Sequence, residues 1–139
     1  WGGVTQNIQP IYAVSMIISA IGYFAFLYYL LIRLDSAEAV IAGKFNYTLF
    51  CWIFIAILLP SAFWMPLTNL YVANPVTIYW ILIRMVLFMV GFASLALVWA
   101  LIKTVANAEG IPRRAAIAGS IYFTFHTWIL DAIIWAQLF

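Results

Sequence analysis

The chain has 139 residues, of which 68% are hydrophobic and only 7% are charged, and its formal net charge is +2. A soluble domain carries about 25% charged residues, and a soluble fold this short leaves much of its surface exposed. The composition therefore excludes a soluble globular protein, and the small, scattered positive charge argues against nucleic acid as a partner. The single cysteine, Cys51, excludes an intrachain disulfide and a CxxC redox or zinc site.

Four apolar segments are long enough to cross a bilayer, whose hydrocarbon core of about 30 Å requires about 20 residues of helix. These runs do not alternate as the strands of a membrane barrel do, so helices are the structure that satisfies their backbone groups in lipid. Short loops predict antiparallel packing of consecutive helices. The predicted fold is all-α, a polytopic membrane protein made of one four-helix domain, with helices over residues 10–32, 45–64, 76–103 and 114–139.

Proline, glycine and capping residues set the expected boundaries. Pro60 is expected to kink the second helix and Pro66 to end it. Gly110 and Pro112 are expected to end the third helix. The segment 35–43 is expected to form a short interfacial helix, because an Asp-Ser pair opens it and a glycine closes it.

The basic residues predict the orientation in the membrane. Lys and Arg concentrate in cytoplasmic loops, and here they lie between helices one and two and between helices three and four. Both termini are therefore predicted on the non-cytoplasmic side of a bacterial inner membrane, or on the equivalent side of an organellar one. The residues that carry this prediction are Arg33, Lys44, Lys103, Arg113 and Arg114.

The first helix carries a regular stripe with steps of three and four residues, the spacing of a left-handed helix-packing seam. Small residues near its centre allow a second helix to approach closely. A packing face is the favoured interpretation and a ligand groove is the alternative. The stripe consists of Tyr12, Ser15, Ser19, Gly22, Phe26 and Tyr29.

The fourth helix carries a polar stripe of Ser120, Thr124 and Thr127, in line with Asp131. At about 100° per residue, His126 points about 140° away from Asp131 on a regular α-helix. An undistorted helix therefore predicts that these two residues do not form an acid–base dyad.

Arg84 and Asp131 are the charged residues within the spans. Each lies about 12 Å from the same end of the predicted bundle, counting about 1.5 Å per residue. An unpaired charge near mid-membrane costs about 2.5–3.5 kcal/mol on insertion scales, so an Arg84–Asp131 ion pair is predicted. The alternatives are that Arg84 reaches the interface beside Trp80 and that its partner lies on another protein chain. Such a pair either fixes helix register or belongs to an ion path.

His126 is a candidate axial ligand for haem or a chlorophyll-type pigment. The alternative is a hydrogen bond from its ring to another helix. Metal catalysis needs about three protein ligands, so no metal site is predicted. The chain also lacks GxSxG, HExxH and CxxC, the usual motifs of hydrolases, zinc proteases and thiol redox proteins.

Three hypotheses of function follow. The favoured one is an accessory subunit of a larger membrane complex, such as an electron-transfer or photosynthetic one, because the chain has large apolar faces and almost no loops. The second is a small homo-oligomeric transporter or channel that uses Arg84 and Asp131. The third is an intramembrane enzyme, or a haem, pigment or lipid binder, built around His126. The expected partners are membrane lipid and other transmembrane subunits or copies of the chain.

Overall fold

The computed structural model describes residues 4–105 and 110–138, and most of these residues belong to four long membrane-spanning helices. The spans contain 25 to 28 residues and have mean hydropathies from 1.3 to 2.5. At about 1.5 Å per residue, each is longer than the bilayer core of about 30 Å. The prediction of an all-α membrane protein with four spans is therefore confirmed. The spans are Gln9–Arg33, Thr48–Ala73, Thr77–Lys103 and Ile111–Leu138.

Two of the spans change helix type along their length. The first ends in a short π-helix, and the fourth becomes a π-helix for ten residues before a last α-helical turn. Two short antiparallel strands link the first loop to the end of the third span. In chain order the elements are α1 (Gln9–Tyr28), π1 (Tyr29–Arg33), β1 (Val40–Ile41), α2 (Thr48–Ala73), α3 (Thr77–Lys103), β2 (Thr104–Val105), α4 (Ile111–Phe125), π2 (His126–Trp135) and α5 (Ala136–Leu138).

The spans pack in the order second, third, fourth, first. The most extensive contacts join α2 to α3, α3 to α4 and π2, and α4 to α1. The first and fourth spans run antiparallel, because Tyr12 meets Leu130 while Phe26 meets Phe123. The first and second spans meet through side chains such as the rings of Phe26 and Phe54, whose centroids are 6.1 Å apart.

Two apolar clusters fill the bundle, with a polar layer between them. The larger lies toward the end that carries the basic loops, and it includes Phe26, Leu30, Phe50, Leu97 and Leu101. The smaller lies toward the chain termini and is built around Tyr12, Ile83, Leu87, Leu130 and Trp135. The buried polar side chains between them are Ser15, Ser19, Thr124, His126 and Thr127, whereas Ser94 and Ser120 are buried among residues of the larger cluster.

The second span contradicts the predicted role of Pro66. The helix continues through Pro60 and Pro66 to Ala73. In lipid, a helix end leaves carbonyls without water, and nearby hydroxyls help to compensate for a proline. Ser61 donates to the carbonyl of Ile57 at 2.6 Å, and Thr68 donates to that of Trp64 at 2.9 Å. A prediction based on proline behaviour in water therefore ended this helix too early.

The loop boundaries differ from the prediction in two more places. The segment 35–43 is not helical: it contains β1, and Ala42 and Gly43 form a tight turn with φ of 52° and 69°. The reason is that the buried Ile41 side chain and the pairing of β1 with β2 hold this segment extended. Gly110 and Pro112 stand at the start of α4 rather than at the end of α3, which already ends at Lys103. The last residue of the predicted fourth helix, 139, lies outside the described residues.

Candidate functional site

The π-helix of the fourth span brings His126 and Asp131 together. The Nε2 atom of His126 lies 3.7 Å from the Oδ2 atom of Asp131. A hydrogen-bonded turn of five residues places positions i and i+5 on one face, and the amide of Ala136 donates to the carbonyl of Asp131 in this way. The sequence-based expectation that the two residues point apart was wrong, because it assumed an undistorted α-helix.

The first span completes the site from the other side of His126. The Oγ atom of Ser15 lies 2.9 Å from Nδ1 of His126, and the hydroxyl of Tyr122 donates to the same Oγ atom at 3.2 Å. One turn away, the hydroxyl of Tyr12 donates to the carbonyl of Leu130 at 2.9 Å. Tyr122, Ser15, His126 and Asp131 therefore form a polar chain in which Ser15 of the first span bridges Tyr122 and His126 of the fourth, and Asp131 follows at 3.7 Å.

Asp131 and His126 line an open space inside the bundle. A cavity of about 250 Å³ lies between the second, third and fourth spans. The Asp131 side chain is 27% exposed, whereas that of His126 is 10% exposed. Most of the cavity wall is apolar. The lining includes Ser61, Trp64, Leu87, His126, Thr127 and Asp131.

The other end of the polar chain reaches a second cavity. This cavity has a volume of about 390 Å³ and lies between the first and fourth spans, where Ser15 and Tyr122 contribute the hydroxyl groups of an otherwise apolar lining. The four-residue chain therefore connects two cavities on different sides of the fourth span.

The polar stripe of the fourth span has a packing role next to this site. Ser120, Thr124 and Thr127 are buried, and their hydroxyls donate to the carbonyls of Ile117, Ser120 and Phe123 on their own helix. Thr127 is the member that reaches outward, since its Oγ1 lies 3.1 Å from Oγ of Ser94 on α3. This contact holds the start of π2 against the third span.

Arg84 does not pair with Asp131 within the part of the chain that the structure describes. Its guanidinium lies over the ring of Trp80, 4.5 Å from the centroid, and donates to the carbonyl of Ala136 at 3.4 Å. The two charges have different partners because π2 turns Asp131 toward His126 and the cavity. Arg84 instead lies beside Trp80, the residue that the alternative interpretation of the sequence named as its neighbour.

The stripe of the first helix lies entirely inside the bundle. Its centre is Gly22, which touches Gly119 of α4 backbone to backbone. A β-carbon built on Gly22 would lie 2.6 Å from the carbonyl oxygen of Gly119, and the reverse is also true. Ser15 belongs to both the packing stripe and the polar chain, so the same helix face packs the bundle and supplies a site residue.

The geometry favours proton exchange over nucleophilic catalysis. In a Ser-His-Asp hydrolase the serine hydroxyl meets the substrate and the buried acid orients the histidine. Here the exposure is reversed, because Ser15, which lines the second cavity, is only 4% exposed, whereas the Asp131 side chain is 27% exposed. A carboxyl, an imidazole and hydroxyl groups in series are instead the elements of a proton relay.

Ligation of haem or pigment by His126 finds little support in this geometry, because both ring nitrogens already face protein groups. Among residues 4–105 and 110–138, no three His, Cys, Asp or Glu side chains lie close enough together to hold a metal ion. Cys51 is exposed on the second span.

The His126–Asp131 pair is what reasoning from sequence missed, and the only available signal was the five-residue spacing itself. No protein-family model matches the chain, and no curated protein or solved structure matches it either. The fold and the site define the class: a four-span α-helical membrane protein with a polar His–Asp site inside its bundle.

Proposed function

We propose that this protein is a small proton-translocating membrane protein and that His126 and Asp131 are its proton-binding pair. The observation that carries the proposal is their approach to 3.7 Å across a π-helical turn, with the carboxyl open to a cavity. Ionisable residues within spans are costly to bury and commonly belong to proton or ion paths. The pair can hold a proton on either partner, and the cavity gives that proton a place to go.

The two cavities lie at the two ends of the polar chain, on different sides of the fourth span. The cavity at Asp131, of about 250 Å³, is larger than a single water molecule requires. From Asp131 the path leads through His126 and Ser15 to Tyr122 and the second cavity. Between this site and the basic loops, the larger apolar cluster fills the bundle. A complete crossing therefore requires the helices to separate there.

The direct test is proton flux into liposomes that contain the purified protein and a pH-sensitive dye, under a potential set with potassium and valinomycin. Asp131→Asn should reduce the flux to that of protein-free vesicles, because the amide cannot take up the proton. His126→Gln should do the same. Asp35→Asn is the matched control, since Asp35 is exposed in a loop, and it should leave the flux unchanged.

The same assay separates the parts of the path. Ser15→Ala should lower the flux, whereas Ser19→Ala, also buried on the same helix face, should not. Wild-type flux in a folded Asp131→Asn protein would overturn the proposal. Wild-type flux in Ser15→Ala alone would remove the second cavity from the path and leave the proton-binding pair in place.

A second candidate is the accessory subunit of a larger membrane complex, and the second span supports it. In α2, which the structure describes throughout, no residue after Pro60 is buried. This half of the helix has an open surface that another transmembrane subunit, a second copy or lipid would cover. Mass spectrometry of the particle extracted in mild detergent distinguishes these cases: foreign subunits in fixed stoichiometry support the candidate, and a particle of this chain alone contradicts it.

A further inference from the structure

Within residues 4–105 and 110–138, the spanning cation Arg84 has no acidic partner. No carboxylate among residues 4–105 and 110–138 lies within 4.0 Å of its guanidinium. One long hydrogen bond, to the carbonyl of Ala136 at 3.4 Å, uses one of the five N–H donors of the guanidinium. The stacked ring of Trp80 compensates part of the positive charge. The remaining donors require an anion or another acceptor.

The depth of Arg84 indicates which anion can reach it. The third span has 27 residues, so its length of about 40 Å exceeds a bilayer core of about 30 Å by about 5 Å at each end. Arg84 is seven residues from the start at Thr77, about 10 Å along the axis. Its backbone therefore lies about 5 Å below the edge of the core, within reach of the headgroup layer for a long side chain.

The surface below Arg84 is an apolar groove. It has a volume of about 330 Å³ and continues along α3 from Trp80 to Phe92. Its walls face outward: the exposed fractions of Met85, Met89 and Phe92 are 55%, 52% and 60%. From Arg84 to Phe92 the groove extends about 12 Å deeper into the bilayer, counting about 1.5 Å per residue.

We propose that this groove binds an anionic phospholipid, with the phosphate on Arg84 and one acyl chain along Phe88 and Phe92. The order of the groups supports this assignment, because the charge stands nearer the membrane surface and the apolar wall lies deeper, as in a lipid. An arginine fork binds a phosphate in a bidentate manner. A net negative headgroup matches the unpaired guanidinium better than a zwitterionic one, and free phosphate would gain nothing from the apolar wall. This proposal does not depend on proton translocation.

Native mass spectrometry of the purified, delipidated protein tests the proposal. We would add phosphatidylglycerol, phosphatidylcholine or inorganic phosphate and measure the bound fraction. The wild type should retain phosphatidylglycerol in preference to phosphatidylcholine. Arg84→Gln should bind phosphatidylglycerol about tenfold more weakly, as expected for loss of one charge-assisted contact. Arg114→Gln removes one exposed charge far from the groove and should bind as the wild type does.

The alternatives have distinct outcomes. Equal retention of the two lipids by the wild type would overturn the proposal, and this measurement remains available if Arg84→Gln does not fold. Displacement of the lipid by millimolar inorganic phosphate would overturn it in favour of a free-anion site. Normal lipid retention in Arg84→Gln would also overturn it. Asp131→Asn should keep the lipid, so failure of the proton proposal and failure of this one are distinguishable.

Discussion

Gly22 and Gly119 show how single residues determine the approach of two helices. A β-carbon on either glycine would meet the backbone of the other at 2.6 Å, and backbone cannot move aside as a side chain can. In lipid, helix association depends on close packing and on hydrogen bonds between helices. The contact therefore holds α1 near α4, which is the condition for Ser15 to reach His126.

We expect Gly22→Ala to destabilise the bundle by about 1–3 kcal/mol, the range for overpacking a tight contact. Gly91→Ala is the matched control, because its β-carbon would meet the side chain of Trp128 at 3.3 Å rather than backbone. Gly91→Ala should therefore lose less stability than Gly22→Ala. Unfolding of the detergent-solubilised protein, followed by circular dichroism, measures both. Equal stability of Gly22→Ala and wild type would mean that the two helices are not held this closely.

Among the secondary-structure elements, π2 determines how His126 and Asp131 are placed relative to each other. A π-helical turn contains one more residue than an α-helical turn, so it can absorb the loss of one residue. Deleting Ile129, which is 38% exposed, should convert the turn to α-helix. His126 and the aspartate would then be four residues apart, which is still one face of an α-helix.

We therefore expect the protein without Ile129 to fold and to keep its proton flux. Deleting Ile121 from the regular part of the same span is the control. There the deletion rotates every later residue by about 100°, so His126, Thr127 and Asp131 would all leave their positions. Circular dichroism and the liposome assay measure the two variants. If both deletions abolish folding, π2 does not have the extra residue that we assign to it.

Some of these elements can be predicted from the sequence and others cannot, for physical reasons. Hydropathy alone identifies the four spans, because no other structure hides such long apolar runs in lipid. The three-and-four spacing of the first helix identifies its inner face, from Tyr12 to Tyr29. Pro66 misleads because the rule for proline describes helices in water. In lipid a helix end would leave carbonyls without water, and Ser61 and Thr68 donate to helix carbonyls close to the two prolines.

The His126–Asp131 contact depends on packing between distant parts of the chain, which no local sequence pattern shows. The residues that pack against a helix determine whether its turns are α-helical, with hydrogen bonds over four residues, or π-helical, with hydrogen bonds over five. Here the contacts come from the first span, where Tyr12 binds the carbonyl of Leu130 and Ser15 binds His126. These partners are more than a hundred residues away in sequence. The sequence therefore supplied the residues of the site but not their pairing.

At the scale of the whole molecule, polarity and charge are distributed unevenly along the bundle axis. The larger apolar cluster lies between the polar site and the loops that carry the basic residues, and the smaller one lies toward the termini. Arg84 and its groove also lie toward the termini. If the positive-inside rule holds for this chain, both the groove and the shorter route to Asp131 face the non-cytoplasmic leaflet.

The orientation can be measured with single cysteines in a Cys51→Ser background. Ser36 lies in the first loop and Asn74 follows α2, and both are exposed at opposite ends of the bundle. In intact cells a membrane-impermeant maleimide should label a cysteine at position 74 and not one at position 36. Inverted membrane vesicles should reverse this result. Labelling of position 36 from outside would reverse the orientation, and the lipid groove at Arg84 would then take its lipid from the cytoplasmic leaflet, where anionic lipids produce a negative surface potential.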